Sequence, residues 1–478
     1  LNSLRAWRRT AALLVTLCGL GLASFAATPD SPASAAAASG AAPRAASPAS
    51  ASASAPSAAR SSTARKPAGS APVVAGTVPT EPAGYRIESA PAWVVPAVEA
   101  VDAVLPRSSV HYRVIDEQFR IAADSQVLYS HVVRVPTDSA GLASASQIAI
   151  DFDPSFQSLA LHHLLVVRGG ERLDRLDRTR IQLLHRETQL ERQMVDGRMT
   201  LSLAVADVRP GDEVDFAYSI HGANPVFGGR FVHSVWMTSQ RGPVALYQLR
   251  LLAPAARTVY QSLGSPDMVS TSRVENGQRE TLIRRTAIPQ FRVDPQAPGD
   301  AGVEHTVQFS EFSDWMAVAQ WGADLFAATP ASPLVARKAA DIKARANGRD
   351  AVIREALDVV QKELRYFATE IGPNSHRPAT PEQVMAQRFG DCKDKVGVFI
   401  ALLRELGIAA TPVLVSTSLR DATARMLPSP LAFDHVIARI DAAAGEAPLW
   451  LDATRGHQTG DPARRQVIGL GKGLVLAR

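Results

Sequence analysis

The spacing of apolar residues changes near residue 312, and the change separates two kinds of fold. Up to about residue 312, apolar and polar residues alternate in short runs such as "HYRVIDEQFRIAADSQVLYSHVVRV" (111–135), and no helical spacing lasts more than about two turns. Alternation gives a strand one face for a core and one for solvent. Similar runs occupy 147–154, 162–174, 198–222, 244–254, 258–264, 279–288 and 302–311. Turn-forming pairs such as Asp153-Pro154 and Gly169-Gly170 separate them. The pattern predicts an antiparallel β domain, sandwich-like, over 81–310. His162 and His163 are adjacent in one run, and strand geometry would send them to opposite faces, which argues against a shared metal.

After residue 312 the helical period takes over. "FSDWMAVAQWGADLF" (312–326) is an amphipathic helix whose Trp315 and Trp321 are expected to pack between domains, with carbohydrate stacking as the other use of two tryptophans. Residues 311–349 form a helical connector. Ile353, Leu357, Val360 and Leu364 make one stripe of a helix over 350–367, and a short helix is expected near 381–387. The helix beginning at Cys392 buries Val396, Phe399, Ile400 and Leu403 and stops at Gly407. Strands then return at 409–418, 433–442 and 447–454. The order predicts an α+β domain over 350–478.

The start of the chain is of a third kind. Arg5, Arg8 and Arg9 precede an apolar run from Ala11 to about Ala26, which ends in small residues. A basic, apolar, small-residue order predicts a secretory signal peptide over 1–26 and an exported, periplasmic protein, with an uncleaved membrane anchor as the alternative. Residues 27–80 are rich in Ala, Ser and Pro and predict a disordered linker. The first residue is Leu1, so a fragment or an alternative start is expected.

Charge follows this partition. The first 80 residues hold seven Lys or Arg and one Asp, a balance of +6 in a chain whose total is +5. The remainder therefore sums to −1, and the basic character says nothing for nucleic-acid binding by the folded part. No paired carboxylates, metal-ligand spacing or glycine-rich phosphate loop stands out, so no cofactor and no metal is expected.

Cysteine is scarce. Cys18 lies in the leader, which leaves Cys392 alone in the mature chain, unable to form an internal disulfide. Cys392 falls in the first turn of its helix, where free N–H groups and the positive end of the helix dipole favour a thiolate. His435 opens one downstream strand and Asp452 lies near the end of the next, so a hairpin can bring both to the head of the Cys392 helix. Nucleophile, base and orienting carboxylate is the logic of a Cys-His-Asp triad.

These motifs resemble the transglutaminase-like superfamily, in particular bacterial proteins that join such a domain to an N-terminal β domain of unknown function, numbered 3857. "FGDCKDKV" (389–396), "LPSPLAFDHVI" (427–437) and "WLDAT" (450–454) are similar to its nucleophile, histidine and aspartate motifs, with Ala453 in place of the usual proline. "DVRPGDEVDFAYSIHGANPVFGGRF" (207–231) is similar to the β domain. The resemblance implies a papain/transglutaminase-like fold with Cys392 as nucleophile, His435 as base and Asp452 as orienter. The oxyanion would be held by the Cys392 N–H and an upstream side chain, for which Gln361 is the candidate. Asp391 and Asp394 flank the thiol, with Lys393 and Lys395 as partial compensation. Relatives often continue further, so truncation at the C-terminus is expected. Two functions remain open: an exported thiol hydrolase or acyltransferase acting on peptide or glutamine amides, or a non-catalytic module that binds a protein of the cell envelope.

Overall fold

The computed structural model of the protein describes residues 84–97, 104–187, 189–294, 296–327, 332–443 and 445–477. The expected signal peptide and linker lie outside the described residues. Among the described residues no helix is long and apolar enough to cross a membrane.

Alternation becomes burial in the first half. Along the strand Val110–Ile121 the side chains of Val110 and Tyr112 enter the core, and after an irregularity in the ladder Ile115, Phe119 and Ile121 continue it. A nine-stranded sheet runs in the order Tyr85–Ile87, Ser158–Arg168, Glu213–His221, Gln126–Pro136, Val110–Ile121, Val244–Pro254, Gln278–Ile288, Val269–Glu275, with Glu171–Asp174 paired to Ser158–Arg168. Two three-stranded sheets cover one face. One contains Gln147–Phe152, Met199–Ala204 and Ile181–His185, and the other Val232–Trp236, Thr306–Ser310 and Tyr260–Leu263. Ile148, Leu201 and Leu203 from the first, and Val235, Val307 and Phe309 from the second, share a core with Phe216, Leu249 and Ile283 of the large sheet. This is the sandwich that alternation predicts.

Two pairings depart from an antiparallel domain. Tyr85–Ile87 runs parallel to Ser158–Arg168, and Val244–Pro254 runs parallel to Val110–Ile121 in the middle of the sheet. Local alternation is the same for both directions, so only the long path of the chain between the strands sets it.

The second half has its own core. Helices Pro333–Arg345, Arg349–Asp358, Pro381–Gln387 and Cys392–Glu405 pack against a four-stranded antiparallel sheet in the order Leu449–Leu451, His435–Ile440, Ala410–Val415, Leu474–Val475. Val396, Phe399, Leu402 and Leu403 face Val436, Ala438 and Ile440 in that core. Gly407, at φ 75°, ends the Cys392 helix. Its N–H bonds the Arg404 carbonyl at 3.1 Å, and the Ile408 N–H bonds the Leu403 carbonyl at 2.8 Å. A residue with a Cβ is strained in that left-handed position.

The expected helix over 350–367 is shorter. The α-helix stops at Asp358, and Val359–Glu363 forms one π-helical turn. The stripe from Ile353 to Leu364 is buried as expected, but the wider turn changes where Gln361 points.

The halves meet through the helix Trp315–Ala327. Trp321 stacks on Phe227 with ring centroids 5.8 Å apart, and its Nε1 donates to the Val226 carbonyl at 2.9 Å. Trp315 meets Phe433 edge-on at 5.6 Å.

Candidate active site

Helix start, strand entrance and hairpin position the three predicted residues independently. Asp391 is the N-cap of the Cys392–Glu405 helix. Its side chain accepts from the Lys393 and Asp394 N–H groups, while the Asp394 carboxylate accepts from the Asp391 N–H at 3.2 Å. This capping box fixes the first turn and leaves the Cys392 N–H out of the arrangement. Cys392 itself is half-buried.

His435 is the first residue of its strand, opposite Val415. Ala438 pairs with Leu451 in the neighbouring strand, which carries Asp452 just past its end to the same side as His435. His435 Nε2 lies 3.0 Å from Asp452 Oδ2. With Nε2 spent on the carboxylate, Nδ1 is the ring nitrogen left for Cys392, which lines the same cleft. Asp452 Oδ1 accepts from the Thr454 N–H at 2.8 Å and the Thr454 hydroxyl at 2.6 Å.

Burial alone would discharge this imidazole. It is outweighed by hydrogen bonds and attraction from Asp452 and Cys392, which raise His435 well above its ordinary value. Burial likewise pushes the Asp452 carboxyl up, but the bonds from His435 and Thr454 hold it below the usual range. The pair is therefore a carboxylate and an imidazolium at neutral pH.

The charges flanking the thiol are mostly neutralised within the motif. Lys393 Nζ pairs with Asp391 Oδ2, both buried. Asp394 is pushed up to about 6 by burial and by the neighbouring Asp391 charge. Lys395 is buried, donates to the Leu364 carbonyl at 3.1 Å, and is lowered to about 8 by burial. "DCKDK" is a built helix start, with its acids spent on capping.

Gln361 is brought near the group but not to the thiol. Its Nε2 donates to the Asp452 carbonyl at 2.8 Å and to Gln458 Oε1 at 2.9 Å. Both amide hydrogens are spent, so none remains for an oxyanion on a Cys392 adduct. In this geometry Gln361 fixes the backbone that carries Asp452.

Cys392 and His435 line a cleft of about 560 Å³, walled by Trp321, Phe326, His376, Phe433 and Leu476, with Glu370, Lys393 and Asp434 among its charged groups. Sequence reasoning did not single out His376. Its Nδ1 is 2.9 Å from the Ser375 hydroxyl, and its ring meets Phe227 edge-on at 5.1 Å. Burial, aided by the Lys393 charge, lowers it to about 3, so it is neutral. Its position in an irregular loop carries no periodic signal by which to find it.

A cysteine at a helix head, with a histidine and an aspartate from an adjacent antiparallel sheet, defines an α+β domain of the papain and transglutaminase-like kind. Family models agree: residues 336–446 match the transglutaminase-like superfamily, and residues 122–292 match the domain of unknown function DUF3857. The chain thus carries a DUF3857 domain N-terminal to a transglutaminase-like domain.

Among solved structures, a "putative protease" from Parabacteroides distasonis ATCC 8503 is similar in fold. Its TM-score is 0.62 at 12% identity, over 75% of this chain and 71% of that one. The M1 zinc metallopeptidase from Deinococcus radiodurans overlaps 43% of each chain at 10% identity with a TM-score of 0.23, too slight a likeness to bear on the fold. No curated protein matches the chain.

Proposed function

We propose that the protein is a thiol peptidase or acyltransferase acting on peptide or glutamine amides. The observation that carries this reading is the His435–Asp452 hydrogen bond beside Cys392 in one cleft at a helix N-terminus. In the resting pair the Cys392 proton is already on His435 Nδ1, and the thiolate sulfur attacks the amide carbon. The Cys392 N–H supports the oxygen that becomes negative. His435 returns the proton to the nitrogen as the C–N bond breaks, leaving a thioester. Water or an amine then attacks the thioester carbon, His435 takes the proton of the attacking group, and the sulfur leaves. Asp452 holds the imidazole in orientation throughout. The aromatic wall of the cleft suits an apolar side chain next to the scissile amide.

Alkylation of Cys392 by iodoacetamide, followed against pH in wild type, H435A and D452N, tests the pairing. Fast alkylation at neutral pH, slowed by H435A, supports it. D452N should keep part of the alkylation rate and lose most turnover of peptide amides. If neither variant changes the alkylation profile, the protein is a binding module instead.

We also propose export, supported by the order of residues 1–26. Sequencing the mature N-terminus should find a start close to Ala27. An intact start in the cytoplasm would overturn it.

A further inference from the structure

The adjacent histidines of the β half do not behave as a plain strand. The strands Ser158–Arg168 and Glu213–His221 slip register between Ala217 and Tyr218: His163 pairs with Ala217, while Leu161 pairs with Tyr218. His162 is the extra residue. A bulge of this kind turns two consecutive side chains to one side. His162 Nε2 reaches the Ser219 hydroxyl at 2.7 Å, and His163 Nε2 reaches Asp215 Oδ1 at 2.7 Å. Ser219 and Asp215 are four residues apart on one strand and share a face. The expectation of opposite faces is therefore wrong, and the argument it gave against a metal falls with it.

A third side chain joins from the other flank. His131 and His163 pair with Ala217 from either side of the central strand, and Asp215 lies two residues along that strand on the same face. His131 Nε2 is 2.8 Å from the same Asp215 Oδ1. The three ligand atoms lie within 4.8 Å of one another. Between the two rings the central strand presents only the methyl group of Ala217. Arg172, 65% exposed, approaches only the other oxygen, Oδ2, at 3.8 Å. Asp116 pairs across the strand from His131 and accepts hydrogen bonds from Gln118 and Gln248.

We propose that His131, His163 and Asp215 form a binding site for a divalent transition-metal ion of the Zn²⁺ type. Two imidazole nitrogens and one carboxylate oxygen suit Zn²⁺ and its first-row neighbours, whereas Mg²⁺ and Ca²⁺ call for an oxygen-rich shell. Tetrahedral coordination with bonds of about 2.0–2.1 Å separates ligand atoms by about 3.3 Å. The imidazole-to-carboxylate distances need to open by about half an ångström, within reach of side chains that are 22% and 31% exposed. Both imidazoles lose the Nε2 proton on binding. Three protein ligands leave a fourth position open to water or to a group from a partner. The site is on the large sheet, on the face opposite the core, and does not depend on the catalytic reading of Cys392.

The test uses the full chain with Cys392→Ser, so that the thiol cannot hold the ion. After chelator treatment, Zn²⁺ is titrated by calorimetry and Co²⁺ by its visible absorption. One equivalent should bind, and H131A, H163A and D215N should each weaken binding at least about tenfold. Crystals of the Cys392→Ser protein soaked in Zn²⁺ should give an anomalous peak between the three side chains, an observation that stands even where a variant fails to fold. No binding with Cys392→Ser, equal binding after H131A and H163A, or a peak elsewhere would overturn the proposal.

Discussion

Gln361 shows how far residue-level reasoning reached. Its place on the helix before the nucleophile was legible, and its nearness to the site follows from that. Its bonding was not, because one π-helical turn, invisible in apolar spacing, aims the amide at the Asp452 carbonyl. Q361A leaves that carbonyl without this donor in a buried place, so stability should fall by about 1–3 kcal/mol in urea unfolding. Alkylation of Cys392 should persist in this variant while amide turnover drops, since Asp452 and not the thiol loses its support. The His435–Asp452 pair gives a pH test. His435 is raised above its unfolded value of about 6.5, so its contribution is complete below that pH and is lost as pH rises through the raised folded value. Asp452 is depressed, so its contribution is present above about pH 3.9 and is lost as pH falls through the folded value. The stability gap between wild type and H435Q should therefore be widest between about pH 4 and 6.5 and shrink on the alkaline side. Urea unfolding from about pH 4 to well above pH 6.5 measures it, and a gap that does not shrink on the alkaline side would show that the pair is not charged.

At the scale of elements, the helices of the second half were read closely because each carries its own signals. Pro381–Gln387 has a Thr380 capping box, and Cys392–Glu405 has Asp391 before it and Gly407 after it. Strands fared less evenly. Tyr85–Ile87, Ile181–His185, Val232–Trp236 and Val269–Glu275 fall outside the alternating runs, the last because it is mostly exposed and shows little alternation. The bulge at His162 was not legible either, since register belongs to a pair of strands and not to either one. The turn Asn224–Phe227 carries the most testable packing. Asn224 Nδ2 donates to the Gly372 carbonyl at 3.1 Å and the Ser375 hydroxyl at 3.0 Å, and Phe227 is buried against Trp321 and His376. Phe227→Ala removes a buried ring from this joint and should cost about 3–5 kcal/mol in denaturant unfolding. A loss below about 1 kcal/mol would mean that the joint closes over the gap.

For the whole molecule, the site is assembled from distant parts of the chain. The β half supplies the turn behind His376 and Trp321. The last described strand, Leu474–Val475, pairs with Ala410–Val415 and sets Leu476 in the cleft wall. Leu476 packs against Gly322, where an added Cβ would stand 2.7 Å from the Leu476 Cδ2. Leu476→Ala should lower stability by about 2–5 kcal/mol, read from the urea midpoint, and should let bulky thiol reagents reach Cys392 faster. This placement has a consequence in time. A ribosome adding about 5–20 residues per second makes the Asn224–Phe227 turn first and Leu476 on the order of 10–50 s later. Over the stretch from Cys392 to Leu476, about 4–17 s of it, the nascent chain holds Cys392 without a finished pocket around it. The order of synthesis thus delays the completed cleft until the chain has been made through Leu476.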